Sequence, residues 1–237
     1  MKRFIKKIVF LSLSLAVIGS LIIVGLGYLE YKSSISKLSI DESIQSQFNK
    51  NNFTSYEDIN PIFIEAVIAT EDSRYWSRES VIDFEALGRA MARNIMNFKL
   101  LEGGSTIPQQ VGKNLYFDHS ASLVRKVSEW FVARDVLNKY NKKEIIAIYV
   151  NMNYYGDGYY GIYEASRGYF DKTPLELTDG QATLLAGIPQ APSVYQLSTN
   201  FEGAKKRQQH VLNRMLSVGY IDEKQLESIF AENVYGD

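Results

Sequence analysis

Apolar and polar positions divide the chain into three stretches. Ile8 to Leu29 is a charge-free, largely apolar run of 22 residues, preceded by Lys2, Arg3, Lys6 and Lys7. Residues 30–57 are polar, with single apolar positions among Ser, Lys, Asn and Gln, and read as a stalk or loosely ordered lead-in. From residue 58 onward apolar residues recur at helical spacing, and strand-like alternation is scarce. The pattern therefore predicts a basic flank and membrane anchor over 1–29, a stalk over 30–57, and one mainly α domain over 58–237.

Within that domain the element boundaries carry local signals. Asn60 can cap a helix and Pro61 suits its first position. Phe63, Val67 and Thr70 then line one side and Ile64 and Ile68 another, so this helix is apolar nearly all round and is predicted to be buried. Asp83 can cap the next helix, with a stripe of Phe84, Leu87, Met91 and Ile95 and with Arg89 and Arg93 on the opposite face. Gly103-Gly104 breaks the chain before a helix that Ser105 or Thr106 can start. Ser122 to Tyr140 reads as a long helix with an apolar stripe of Leu123, Val127, Trp130 and Leu137. Further helices are predicted over 142–151, 162–170, 178–186, 200–218 and 222–232, with a glycine-tyrosine loop over 153–161.

Length and charge sharpen the first stretch. At about 1.5 Å per residue, 22 residues span a hydrocarbon core of about 30 Å. A cleaved signal peptide has an apolar region of about 7–15 residues and a small-residue cleavage site. This run is longer and no A-x-A pattern follows Tyr28, so an uncleaved signal anchor is the better reading. The basic flank places the N-terminus in the cytoplasm and the domain outside. Without the four N-terminal cations the chain has 22 basic against 27 acidic residues, which leaves no footprint for nucleic acid. Cysteine is absent, so disulfides and thiolate metal sites are excluded.

Candidate chemistry concentrates between Glu71 and Glu129. A carboxylate that ends a buried helix, such as Glu71, is placed to lose water, a setting that suits a general base or acid. Taken alone it reads more readily as a solvated glutamate just past a core helix, because most carboxylates are solvated. Glu129 lies four residues after Arg125 and three after Lys126, the spacing of a surface salt bridge, or of a carboxylate held among cations beside an anion or metal. Arg125, Lys126 and Lys113 can form a local phosphate clamp on an otherwise acidic domain. Gly103-Gly104-Ser105-Thr106 can present backbone N–H groups to an anion, although the P-loop spacing is absent. His119 and His210 are isolated, without metal-ligand spacing, and read as structural or exposed.

The joint order of these features is more specific than any one of them. Glu71-Asp72, GGSTIPQQ at 103–110, Lys113-Asn114, RKVSE at 125–129, KKEIIAIYVN at 142–151, GYYGIYEASRGYF at 158–170 and LTDGQATLLAGIPQAPSVY at 177–195 follow one another. This series resembles the peptidoglycan glycosyltransferases, or murein polymerases, of glycosyltransferase family 51. The resemblance implies a lysozyme-like helical domain behind one transmembrane helix, on a single-pass protein of the bacterial cell membrane. It resembles the monofunctional members, since little chain follows.

The resemblance also implies roles. Glu71 falls on the catalytic glutamate that deprotonates the GlcNAc 4-hydroxyl of lipid II, and Glu129 on the second carboxylate, which assists at the diphosphate. Lys113, Arg125 and Lys126 fall on basic positions that offset leaving-group charge. Asp72, Ser105, Thr106, Gln109, Gln110 and Asn114 fall among substrate-contacting positions, while Lys142 and Asn151 match less defined ones. A divalent cation, Mg or Mn, at the diphosphate through Glu129 is compatible with it, and no organic cofactor is implied. Implied partners are lipid II, the undecaprenyl-diphosphate-linked glycan, the membrane and other cell-wall synthesis proteins.

The chain departs from the family pattern at Tyr75, Arg78 and Ser80, where Phe, His and Gly are common, and at Pro108 and Ala147. Two other readings therefore stand beside the polymerase. A lysozyme-like glycoside hydrolase also uses two carboxylates, but needs neither an anchor nor a diphosphate clamp. An inactive wall-binding scaffold is motivated by the altered first motif.

Overall fold

Asn60 starts the central helix as its side chain predicts. In the computed structural model, which describes residues 2–89, 104–118 and 122–235, the Asn60 side chain accepts the Ile62 N–H at 2.8 Å and donates to the Leu177 carbonyl at 2.6 Å. The chain begins with α1 (Lys2–Lys37) and α2 (Ile40–Phe48), and this central helix is α3 (Pro61–Glu71). Phe63, Ile64 and Ala66 to Ala69 are all buried, because α3 is packed between α8 (Asp179–Gly187) and α9 (Phe201–Ser217). Burying each of its larger apolar side chains contributes roughly 1.5–3 kcal/mol, so the helix end that carries Glu71 is held rigidly.

The other helices of nine or more residues within the described residues are α4 (Ile107–Tyr116), α5 (Leu123–Lys139), α6 (Lys142–Met152), α7 (Gly161–Phe170) and α10 (Glu223–Ala231). Side chains of Ser122, Asn141, Thr178, Asn200 and Asp222 cap α5, α6, α8, α9 and α10. Among the described residues there is no sheet, only an isolated Tyr154–Tyr160 bridge. The fold is mainly α. α4 lies against α5 and α6, so the Gly104–Gln110 segment faces the end of α3.

Two expectations differ from what the structure contains. The buried face of α5 is Ser128, Glu129, Val132, Ala133 and Val136, whereas Leu123 of the predicted stripe is 70% exposed. The cause is α1, which runs past Leu29 and packs along α5. A Cβ at Gly27 would lie 2.6 Å from Val127, so only glycine permits this approach. Ser128 Oγ donates to the Gly27 carbonyl at 2.9 Å or to Glu30 at 2.7 Å. The rings of Tyr28 and Tyr31 meet Phe131 at 5.2 and 5.4 Å.

The stretch 30–57, expected as a loose stalk, is instead ordered. α2 is held by a Ser39–Glu42 capping box, and Tyr31, Ile40 and Ile44 are buried in the core. Its polar residues occupy the outer face of a packed element. Asn151 of α6 anchors the same segment by pairing with both the Thr54 N–H and the Thr54 carbonyl, at 2.9 and 2.8 Å.

Asp83 caps as expected, with its carboxylate accepting the Ala86 N–H at 2.7 Å, and residues 84–89 are helical. Phe84 and Leu87 are exposed, while Met91, Arg93 and Ile95, with Gly103 and His119, lie outside the described residues.

Candidate active site

Glu71 ends α3 half-buried on the wall of a cleft of about 510 Å³. Gln110 Nε2 donates to Glu71 Oε2 at 2.9 Å, and the Tyr149 hydroxyl donates to Gln110 Oε1 at 3.3 Å. Burial, then the charge of Glu71, pushes the Tyr149 phenol well above its ordinary value. Tyr149 therefore stays a hydrogen-bond donor, and it fixes the amide of Gln110 with its NH₂ toward the carboxylate. One oxygen of Glu71 is thereby oriented. Nothing in the local sequence pointed to Tyr149, because its contact depends on α6 crossing α4.

The neighbouring acid has a different job. Asp72 is 5% exposed and its two oxygens take a forked pair from Arg78 at 2.5 and 2.7 Å. Its Oδ2 also accepts the Ile107 N–H at 3.1 Å. Asp72 thus ties the end of α3 to the first turn of α4, satisfying a helix N–H that would otherwise lack a partner. Burial acts against the Arg78 charge, but Asp72 and then Asp83 outweigh it and raise its pKa.

The departures in the first motif are absorbed in the same way. The Tyr75 side chain is buried and its hydroxyl donates to the Lys142 carbonyl at 2.6 Å, while Ser80 donates to the Ile82 carbonyl at 2.7 Å. Burial would raise the Asp83 carboxyl, but Arg74, the Ala86 N–H and Arg78 hold it below its ordinary value.

The second carboxylate is fully buried. Glu129 has 0% exposure and lies between Arg125 Nε at 2.9 Å and Lys126 Nζ at 2.7 Å. The Arg125 contact is an ion pair without hydrogen-bond alignment, whereas Lys126 Nζ bridges Glu129 and Ser105 Oγ at 2.9 Å. Glu129 and Arg125 stand behind the cleft lining, and Ser105, Gln110, Lys113 and Lys126 line it. Burial lowers the Lys113 ammonium below its ordinary value; Glu129 pulls it up, Lys126 and Arg125 push it down, and Glu71 pulls it up. Three cations around one carboxylate leave an excess of positive charge that suits an anion.

Thr106 and Gln109 shape the wall by capping. The Thr106 N–H donates to Gln109 Oε1 at 3.0 Å and the Thr106 hydroxyl donates to the Val81 carbonyl at 2.8 Å. Pro108 falls in the first turn of α4, where a missing N–H costs little. Asn114 is exposed and outside the cleft lining.

Sequence reasoning missed the opposite wall. Gln190, Arg207, His210 and Arg214 also line the cleft. The available signal was the spacing of 207, 210 and 214 on one helical face.

These residues would supply only part of a divalent cation's ligand set. Among the described residues no three His, Cys, Asp or Glu side chains gather. Glu129 offers one carboxylate, which faces Arg125 and Lys126, so a cation there would need the oxygens of a bound diphosphate to complete its shell.

Glu71 in a cation-lined cleft, with Glu129 buried behind it, on a domain joined to a membrane-length apolar helix, is the arrangement of an anchored protein whose site favours anions. The Transglycosylase family model matches residues 38–216, and the chain belongs to that family, the peptidoglycan glycosyltransferases. It is 35% identical over 227 residues to Penicillin-binding protein 1F of Bacillus subtilis, covering 92% of this chain and 32% of that one. It is 38% identical over 184 residues to Penicillin-binding protein 1A of Aquifex aeolicus, covering 78% and 25%, and 37% identical over 186 residues to that of Neisseria flavescens, covering 78% and 23%. The chain thus spans about a quarter to a third of the length of these curated relatives.

Proposed function

We propose that this chain polymerises lipid II into peptidoglycan glycan strands at the outer face of the bacterial cell membrane, with its N-terminus in the cytoplasm. The observation that carries the reading is that Glu71 and the Lys113–Lys126 cations share one cleft, with Glu129 buried behind them. Glu71 takes the proton of the GlcNAc 4-hydroxyl of the incoming lipid II. That oxygen attacks C1 of the MurNAc at the reducing end of the growing strand. The C1–O bond to undecaprenyl diphosphate breaks, with inversion at C1, and the diphosphate leaves with the electron pair. Lys113, Lys126 and Arg125 offset the charge that develops on the leaving group, and Glu129 holds the last two in place. A divalent cation held by Glu129 and the diphosphate would add to that charge compensation.

Membrane anchorage follows from α1, whose apolar window is wholly unburied. The lipid-linked strand, lipid II and other wall-synthesis proteins are the partners this reading requires.

The test is incubation of the detergent-solubilised chain with lipid II, comparing wild type with Glu71→Gln. Polymer from the wild type should fall by about 10²–10⁴-fold in the variant, the range for loss of a general base. Shortening of preformed strands would instead identify a hydrolase. Lipid II binding without polymer from the wild type would identify a scaffold.

A further inference from the structure

The segment that follows α10 crosses the first turn of α8. Glu232 sets its carboxylate on the two residues that flank Asp179: one oxygen accepts the Thr178 hydroxyl, and the other accepts the Gly180 N–H at 2.9 Å. Gln181 Nε2 donates to the Val234 carbonyl at 2.8 Å, and Lys205 Nζ of α9 donates to the Phe230 carbonyl at 2.7 Å. Val234 is buried. The Tyr235 ring lies 5.7 Å from that of Phe170 at the end of α7 and 5.6 Å from that of Phe201 at the start of α9. Residues 232–235 thus strap three helices together, and Glu232 supplies the acceptor for a first-turn N–H that α8 itself leaves open.

The backbone is shaped for this contact. A Cβ at Gly180 would lie 2.6 Å from Glu232 Cδ, so a side chain there displaces the carboxylate. A cavity of about 370 Å³ beside Val234 and Tyr235 leaves the strap room to shift. α8 packs against α3, which ends in Glu71, so the strap holds a helix that supports the cleft.

The charges around the strap oppose one another. Burial, then the charge of Glu232, raises the Asp179 carboxyl above its ordinary value. Burial, then Asp179, raises Glu65 on α3. Lys205 of α9 faces Glu232; burial lowers its ammonium, and Glu232 and Glu202 pull it partly back. Tyr220 faces Glu65, and burial, Glu65 and Tyr56 raise its phenol. A neutral Asp179 leaves Glu232 on α8 unopposed, whereas an ionised Asp179 repels it.

We propose that residues 232–235 form an acid-strengthened latch, in which Glu232 clasps the first turn of α8 and ionisation of Asp179 loosens it. Docked Glu232 raises the Asp179 carboxyl, so the closed latch holds that proton more tightly than the open one. The contribution of Asp179 is fully present below its ordinary value and is lost as pH rises through the raised one. Glu65 adds to the trend, since its charge and that of Asp179 act on each other. Asp179 is exposed, so solvent and salt screen the repulsion. The expected size is that of an exposed charge pair, roughly 1.5- to 5-fold in the closed-to-open ratio at low salt. Neither the latch nor its pH dependence rests on the polymerase reading.

Hydrogen exchange of the full chain in detergent reads the latch through the Gly180 amide, whose acceptor is Glu232, while the α6 amides report global unfolding. Protection factors, which remove the intrinsic effect of pH, should fall by that ratio at Gly180 between pH 4.5 and pH 7 in the wild type, and by less at high salt. Asp179→Asn should keep Gly180 protected to the same degree across that range. Glu232→Gln, which retains one acceptor oxygen of two, should lower the protection at both pH values. Gly180→Ala should expose the amide at position 180 with every charge kept, although alanine favours the helix. Equal pH dependence in the wild type and in folded Asp179→Asn would overturn the switch. Protection at position 180 unchanged in both Glu232→Gln and Gly180→Ala would overturn the latch itself, whatever the polymer assay shows.

Discussion

Replacing Arg78 by Met tests whether the altered first motif is a working substitute. The Asp72–Arg78 pair is nearly dry, with side-chain exposures of 1% and 11%, and the contact is a fork at 2.5 and 2.7 Å. Removing the guanidinium leaves the Asp72 carboxylate buried with the Ile107 N–H as its remaining donor. Breaking one side of such a buried pair costs roughly 3–5 kcal/mol. For a chain of this size that corresponds to a melting-point loss of roughly 6–20 °C, at about 2–4 °C per kcal/mol.

The double variant Asp72→Leu/Arg78→Met removes both charges and leaves the Ile107 N–H without its acceptor, a cost of about 1–3 kcal/mol. It should therefore be more stable than Arg78→Met alone. Urea unfolding followed by the fluorescence of Trp76 and Trp130 measures both differences. Because Asp72 joins α3 to α4, and Gln110 on α4 orients Glu71, Arg78→Met should also lower polymer formation at temperatures where it remains folded. A loss under about 1 kcal/mol, or a double variant no better than the single one, would refute the buried-pair argument.

Two further outcomes follow from the anchor and from Lys113. Ser128→Val removes the hydroxyl that reaches the Gly27 carbonyl and Glu30, so hydrogen exchange of residues 27–37 should accelerate in detergent, with about 1–3 kcal/mol less protection; unchanged exchange would mean that α1 docks by its rings alone. Lys113 has a lowered pKa in the folded chain, so between that value and 10.5 the unfolded chain binds the extra proton and stability rises with pH. Urea midpoints measured at pH 8 and pH 10 should therefore show a smaller gain in Lys113→Met than in the wild type. Diphosphate favours the charged ammonium, so its affinity should fall as pH rises through the same window, which calorimetry can follow.

The site as a whole is an ordered set of constraints on Glu71. Tyr149 and Gln110 orient one oxygen, Asp72 locks the adjacent backbone to α4, and cations face the carboxylate from α4 and α9. Each constraint comes from a different helix. Small displacements of α4 or α9 therefore alter the surroundings of Glu71 without touching it, which places the departures at Tyr75, Arg78 and Ser80 in a supporting role.

What the sequence by itself determined is local. Asn60, Ser122, Asn141, Thr178, Asn200 and Asp222 cap helices through donors two or three residues away, so their role is visible in the string of letters. Arg125, Lys126 and Glu129 meet because helical spacing puts them on one face. The anchor was legible from length and apolar content alone.

Tertiary structure alone decided which faces are covered. It buried Glu129 completely, turned α5 away from its predicted stripe to meet α1, and drew residues 30–57 into the core. It also brought Arg207 and Arg214 to the cleft that holds Glu71 and paired Arg78 with Asp72. These contacts depend on which helices cross and how closely, and glycines such as Gly27 and Gly187 set that approach. Periodicity states that a helix has faces; only packing chooses the one that meets its neighbour.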